Sequence, residues 1–94
     1  MMIARVIGHV WATKKEESLS GQKLMIVQEE TTNRRNGEIF VAADSVGAGI
    51  GEQVLVVSGS TARRALGSDS LPIDSAIVGI IDSLEITKGG SGTK

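Results

Sequence analysis

The sequence predicts an all-β domain: a small five-stranded antiparallel barrel carrying one short helix. Three observations lead there. Short runs rich in Val and Ile alternate with polar or glycine-containing connections along most of the chain, and β-branched side chains suit a pleated, partly buried surface. One segment alone, a turn or two long, reads as helix, and parallel strands need longer crossovers than that. The 94 residues fit one compact domain and leave no room for two.

The first strand is expected over residues 2–13, where Val, Ile and Trp11 dominate. Polar residues 14–22 read as a loop, with Gly21 supplying an unusual backbone conformation. Residues 23–30 form the second strand around Leu24, Met25, Ile26 and Val27. The polar stretch 31–38 contains Asn36-Gly37, a strong turn signal between extended runs. It makes residues 38–44, the third strand, a hairpin partner of the second. The glycine-dense connection Ser45-Val46-Gly47-Ala48-Gly49-Ile50-Gly51 then leads to a fourth strand over residues 52–58. Residues 61–66 are the helix, capped by Ser60 and ended by Gly67. Pro72 sits in a turn, and residues 74–86 make the last strand. This order is similar to an OB-like barrel. One domain is expected over residues 1–87, with a flexible Gly/Ser tail at 88–94.

Composition removes several function classes. A net charge of −1 gives no basic surplus for phosphate backbones. Phe40 and Trp11 are the only aromatic side chains, too few for a base-stacking platform. No nucleic-acid partner is expected. No apolar stretch approaches the roughly 18 residues of a membrane helix, and the N-terminus carries no secretory pattern, so no membrane partner is expected either. Without cysteine there are no disulfides, thiolate metal sites or cysteine nucleophiles. His9, the single histidine, reads as a packing or hydrogen-bonded residue, and one histidine makes a poor zinc site. Asp44 and Asp74 fall at strand edges, where turn and capping roles are the default. The reading is therefore of a non-enzyme with no catalytic residue, no metal and no cofactor.

One pattern points outward. Leu24-Met25-Ile26-Val27, Val54-Leu55-Val56-Val57 and Ile77-Val78-Gly79-Ile80-Ile81 are apolar on both faces, whereas an antiparallel strand with one wet face alternates. A barrel interior takes one face of each. Leaving the other wet forfeits several kcal/mol at about 25 cal/mol per Å². Contiguous exposed apolar surface marks contact with another chain. The sequence thus predicts an obligate homo-oligomer.

The same residues carry a resemblance. Asp44-Ser45-Val46-Gly47-Ala48-Gly49-Ile50-Gly51-Glu52 followed by Val54-Leu55-Val56-Val57 resembles the signature of the EutN/CcmL vertex proteins. Ser58-Gly59-Ser60-Thr61-Ala62-Arg63, Leu71-Pro72-Ile73-Asp74 and Ile77-Val78-Gly79-Ile80-Ile81-Asp82 extend the similarity, as do Arg5-Val6-Ile7-Gly8 and Ser18-Leu19 with Gly21, Lys23 and Leu24. The resemblance implies a structural shell protein of this fold, closing into a cyclic homopentamer. It also implies a cytoplasmic place at the corners of a bacterial microcompartment, beside hexameric shell proteins. A generic oligomeric scaffold, or a small-molecule-binding barrel outside any shell, is the alternative.

Candidate subunit-contact or ring-axis residues follow. Gly47, Gly49 and Gly51 lack the G-x-G-x-x-G spacing and the following helix of a dinucleotide site; they read as a tight connection needing positive φ. With Val46 and Ala48, small residues here would let neighbouring subunits approach near the ring axis. Arg63, near Ser60 on the helix, is either a solvated charge or an intersubunit partner of Asp44 or Glu52. Asp82, interrupting the last apolar run, marks a subunit contact or the strand's emergence into solvent.

Overall fold

Five strands wrap around a packed apolar interior in a computed structural model that describes residues 1–11, 17–19, 21–30, 37–67 and 72–85. Strand β1 covers Met2–His9, β2 Lys23–Glu29, β3 Ile39–Asp44, β4 Gln53–Ser58 and β5 Ser75–Ile80. A 3-10 turn at Glu17–Leu19 precedes β2, and helix α1, Gly59–Ala65, joins β4 to β5. The strands close in the order β1-β2-β3-β5-β4.

The predicted β2–β3 hairpin is present and antiparallel. Asn36 lies outside the described residues, but Gly37 is placed where a Cβ would collide with the Glu29 carbonyl. Four of the five pairings are antiparallel. The fifth, β3 with β5, is parallel and two residue pairs long, Ala43↔Ala76 and Asp44↔Ile77. A wholly antiparallel barrel fails here for a reason of parity. Strands that alternate direction around a closed ring must be even in number, so five strands force one like-directed pair. Residues 39–42 of β3 consequently pair with β2 but not with β5.

Side chains alternate in and out along each strand. Ala4 and Val6 of β1, Met25 and Val27 of β2, Val54 and Val56 of β4, and Ile77 of β5 fill the interior. Register sets Val6 opposite Val27 and Ala4 opposite Val54. Each larger side chain contributes about 1.5–3 kcal/mol by leaving water. On one flank α1 covers the wall: Ala62 packs with Val57 and Ala76, ringed by Leu66 and Val78.

Several boundaries move. β1 stops at His9, although Val10 N–H still bonds Leu24 O at 3.0 Å; residues 12–13 lie outside the described set. β5 stops at Ile80, with Ile81 N–H bonded to Gln53 O at 2.8 Å. Asp82 therefore lies beyond the strand in a bend. α1 starts at Gly59, which puts Ser60 inside its first turn; the flanking residue is Ser58, extended at φ −136 and ψ 170, without a side-chain cap bond. Gly59 N–H is taken instead by Asp74 O at 2.9 Å. Gly21 (φ 84) and Gly67 (φ 98) adopt the left-handed conformations expected of them. The tail at 88–94 and the segment 31–35 are outside the described residues.

Candidate functional site

The glycine-dense connection between β3 and β4 closes one end of the barrel. Its first half is organised by Asp44, the last residue of β3. Asp44 Oδ1 accepts the N–H groups of Val46 and Gly47 at 3.0 and 3.1 Å, and Oδ2 accepts that of Ala48 at 2.9 Å. An Asp at a strand end does this because its short side chain reaches backbone amides two to four residues on. Lys23 of β2 supports the carboxylate from 3.7 Å and donates to Ala48 O at 3.4 Å. Gly47 (φ 83) and Gly51 (φ 92) make the two turns that L side chains resist. Gly49 has an ordinary φ, and a Cβ there would meet only Glu52 Oε1 at 3.6 Å.

Ala48 is fully buried and belongs to the barrel core. Its small side chain plugs the barrel from inside. The Asp44 side chain is 1% exposed with both oxygens engaged within its own chain, whereas Glu52 is exposed. Arg63 donates to Ile73 O at 3.3 Å within its own chain.

The second half of the loop is held from β1. Gly51 N–H donates to Val6 O at 2.8 Å, and Val6 N–H to Glu52 O at 3.0 Å. Glu52 Oε1 accepts Gly49 N–H at 2.7 Å. Arg5 Nη1 donates to Gly51 O at 2.8 Å, while its Nε and Nη2 grip the two Glu30 oxygens at 2.6 and 3.1 Å. Gln53 Nε2 joins at Glu30 Oε1, 2.9 Å. Hydrogen bonding to the Glu30 carboxylate holds the Arg5 guanidinium above its ordinary pKa, against a smaller opposing effect of desolvation. Sequence reasoning missed this cluster. The available signal was an arginine on an otherwise apolar strand, facing outward between Ala4 and Val6.

Thus Asp44, Val46, Gly47, Ala48, Gly49, Gly51 and Glu52 come together in one loop. Asp82 follows the end of β5 that pairs with Val54, at the same end of the barrel. Ser60 and Arg63 lie at the other end of β4. Apolar side chains mark two outer faces. On β1 and β4, Ile3 stands opposite Leu55, with Ile7 exposed beyond them. On β2 and β3, Ile26 stands opposite Val41, and Ile39 and Val41 are 57% and 46% exposed. A groove of about 210 Å³ adjoins this second face, lined by Leu19, Leu24, Val41 and Ile73 among others. Trp11 is 90% exposed, its ring 6.1 Å from that of His9. No cluster among the described residues has the acidic, histidine or thiol ligands to hold a metal ion.

Comparison with known proteins matches this architecture. A family model described as "Ethanolamine utilisation protein EutN/carboxysome" covers residues 1–82. The chain belongs to the EutN/CcmL family. It is 48% identical over 86 residues to the bacterial microcompartment shell vertex protein GrpN of Rhodospirillum rubrum, covering 90% of this chain and 97% of that one. The carboxysome shell vertex protein CcmL of Synechocystis is 43% identical over 90 residues, with 95% and 90% covered. Among solved structures, the pentameric microcompartment shell protein GrpN from Rhodospirillum rubrum superposes with a TM-score of 0.83 at 44% identity, covering 93% and 100% of the two chains. This EutN/CcmL chain is mainly β, with a closed five-stranded barrel and one short helix. No helix of the described residues is long and apolar enough to cross a membrane.

Proposed function

We propose that this EutN/CcmL chain is a structural, non-catalytic subunit that closes into a pentameric ring at the vertices of a bacterial microcompartment shell in the cytoplasm. The relationship to named vertex proteins over nearly the whole chain carries this reading. The barrel's surface supports it. A cyclic ring needs a heterologous contact, in which two different faces of one subunit meet. The β1/β4 face and the β2/β3 face are two such apolar surfaces. Flat layers of hexameric shell proteins cannot close on themselves, and five-fold units supply the missing curvature; hexameric tiles are therefore the partners.

Size-exclusion chromatography with light scattering is the first test. A ring has a mass of about 49 kDa, five times the 9.8 kDa of one chain. Mixing with a hexameric tile protein should then give closed particles with this chain at their corners. A chain that stays monomeric at micromolar concentration would defeat the reading. A ring that never enters shells would favour the alternative of a scaffold or small-molecule binder outside any shell. The barrel interior offers such a ligand little, since Met25, Val27, Val54, Val56 and Ile77 fill it.

A further inference from the structure

Two cations on neighbouring strands reach the closing loop, and each is held by a buried carboxylate. Lys23 lies against Asp44, which is itself the start of the loop. Arg5 lies against Glu30, which directly follows the far end of β2 and is 7% exposed. Past Ala48 no loop side chain enters the core, and Ile50 faces solvent. Polar restraints alone therefore define the path through Gly49, Ile50 and Gly51.

We propose that Arg5 is a positioning residue for the closing loop, aimed by Glu30 and Gln53, so that the second half of the loop meets a neighbouring subunit in one conformation. The guanidinium is planar, with donors in a fixed fork. Once Nε and Nη2 occupy the two oxygens of Glu30, Nη1 has one direction left, and it lands on Gly51 O at 2.8 Å. Gln53 Nε2 on Glu30 Oε1 keeps the carboxylate from turning. The location of Glu30 is thereby transmitted to a loop residue at φ 92 whose N–H is also held by Val6 O at 2.8 Å. A lysine has no fork and cannot serve all three acceptors at once. Ion pairs of this burial are often matched in stability by apolar replacements, so the value of this one is geometric.

The test uses the full chain with three variants: Arg5→Lys, Arg5→Met, and Arg5→Met combined with Glu30→Met. Amide hydrogen exchange at residues 49–52, thermal unfolding and native mass are measured on each. Arg5→Met takes the guanidinium away from the buried Glu30 carboxylate, which keeps Gln53, and lowers the thermal midpoint. The double variant removes that charge and recovers the midpoint, yet its loop amides exchange about tenfold faster or more. Arg5→Lys keeps a charge beside Glu30 and a near-native midpoint, but shows the same fast loop. Native loop protection in both Arg5→Lys and the double variant would reduce the pair to a structural ion pair and overturn the proposal. So would protection lost evenly through the whole barrel. The mass measurement rests on the pentamer reading: variants of the positioning pair should need higher concentration to form rings. If the unaltered chain is itself a monomer, that reading fails, while the exchange comparison still decides the role of Arg5.

Discussion

Replacing Asp44 by Ala removes an acceptor from three amides at once, and the structure lets the cost be worked out. Hydrogen bonds to a charged group contribute about 1.5–3 kcal/mol each. Val46 and Gly47 are exposed, so water takes over at their N–H groups. Ala48 is buried, and its N–H is left with no acceptor, at about 1–3 kcal/mol. With the loss of order in the two glycine turns, the total is about 3 kcal/mol, a large share of the roughly 5–14 kcal/mol that holds a domain of this length together. Asp44→Asn keeps one acceptor oxygen but turns an NH2 toward Ala48 N–H or Lys23, and should lose about half as much. Lys23→Met should cost under about 1 kcal/mol, because the lysine side chain is half exposed. Urea unfolding followed by far-UV circular dichroism is the assay, at one fixed protein concentration because association shifts the midpoint. With a slope near 1 kcal/mol per M, Asp44→Ala should move the midpoint down by about 3 M. A midpoint within about 0.5 M of the parent, or Asp44→Asn indistinguishable from it, would refute the loop account.

Further expectations concern the core plug, the two outer faces and the charged pair. Ala48→Leu should destabilise by about 1–3 kcal/mol through overpacking of the barrel end, read as a lower midpoint in the same urea assay. Val41→Asp on the β2/β3 face and Leu55→Asp on the β1/β4 face should each prevent ring closure. Mixed together they should pair once, through their intact faces, giving about 20 kDa dimers in native mass spectrometry; two unaltered rings would remove these faces from the interface. Because Glu30 raises the Arg5 pKa, the charge on Arg5 contributes in full below the ordinary arginine value and fades only as pH climbs through the still higher folded value. The stability difference between the parent and Arg5→Met should accordingly stay constant from about pH 7 to pH 10.

Much of the barrel was readable because its cues are local. The apolar run Val54-Leu55-Val56-Val57, the Asn36-Gly37 signal for a hairpin of β2 and β3, and the left-handed glycines at 47, 51 and 67 each depend on a few adjacent residues. Where strands end did not follow from composition: Val10 and Ile81 are as β-prone as their neighbours, but their partner strands run out. The parallel pair could not come from any one strand's sequence, since it follows from the closed ring having an odd count. Asp44 sat in the predicted turn role, but the burial of its carboxylate against its own loop could not be read from the residues around it. Arg5 and Glu30 lie 25 positions apart, and only the pairing of β1 with β2 brings them together. Periodicity cannot announce such a meeting.

The brief parallel join between β3 and β5 leaves a row of main-chain donors and acceptors on β3 facing away from β2. Such a row is a template on which a stray extended segment can lie down. Ile39 and Val41, exposed beside it, make that landing site sticky as well as geometrically suitable. Overcrowded or half-unfolded preparations should therefore clump first along this slit, and refolding should go best in dilute solution.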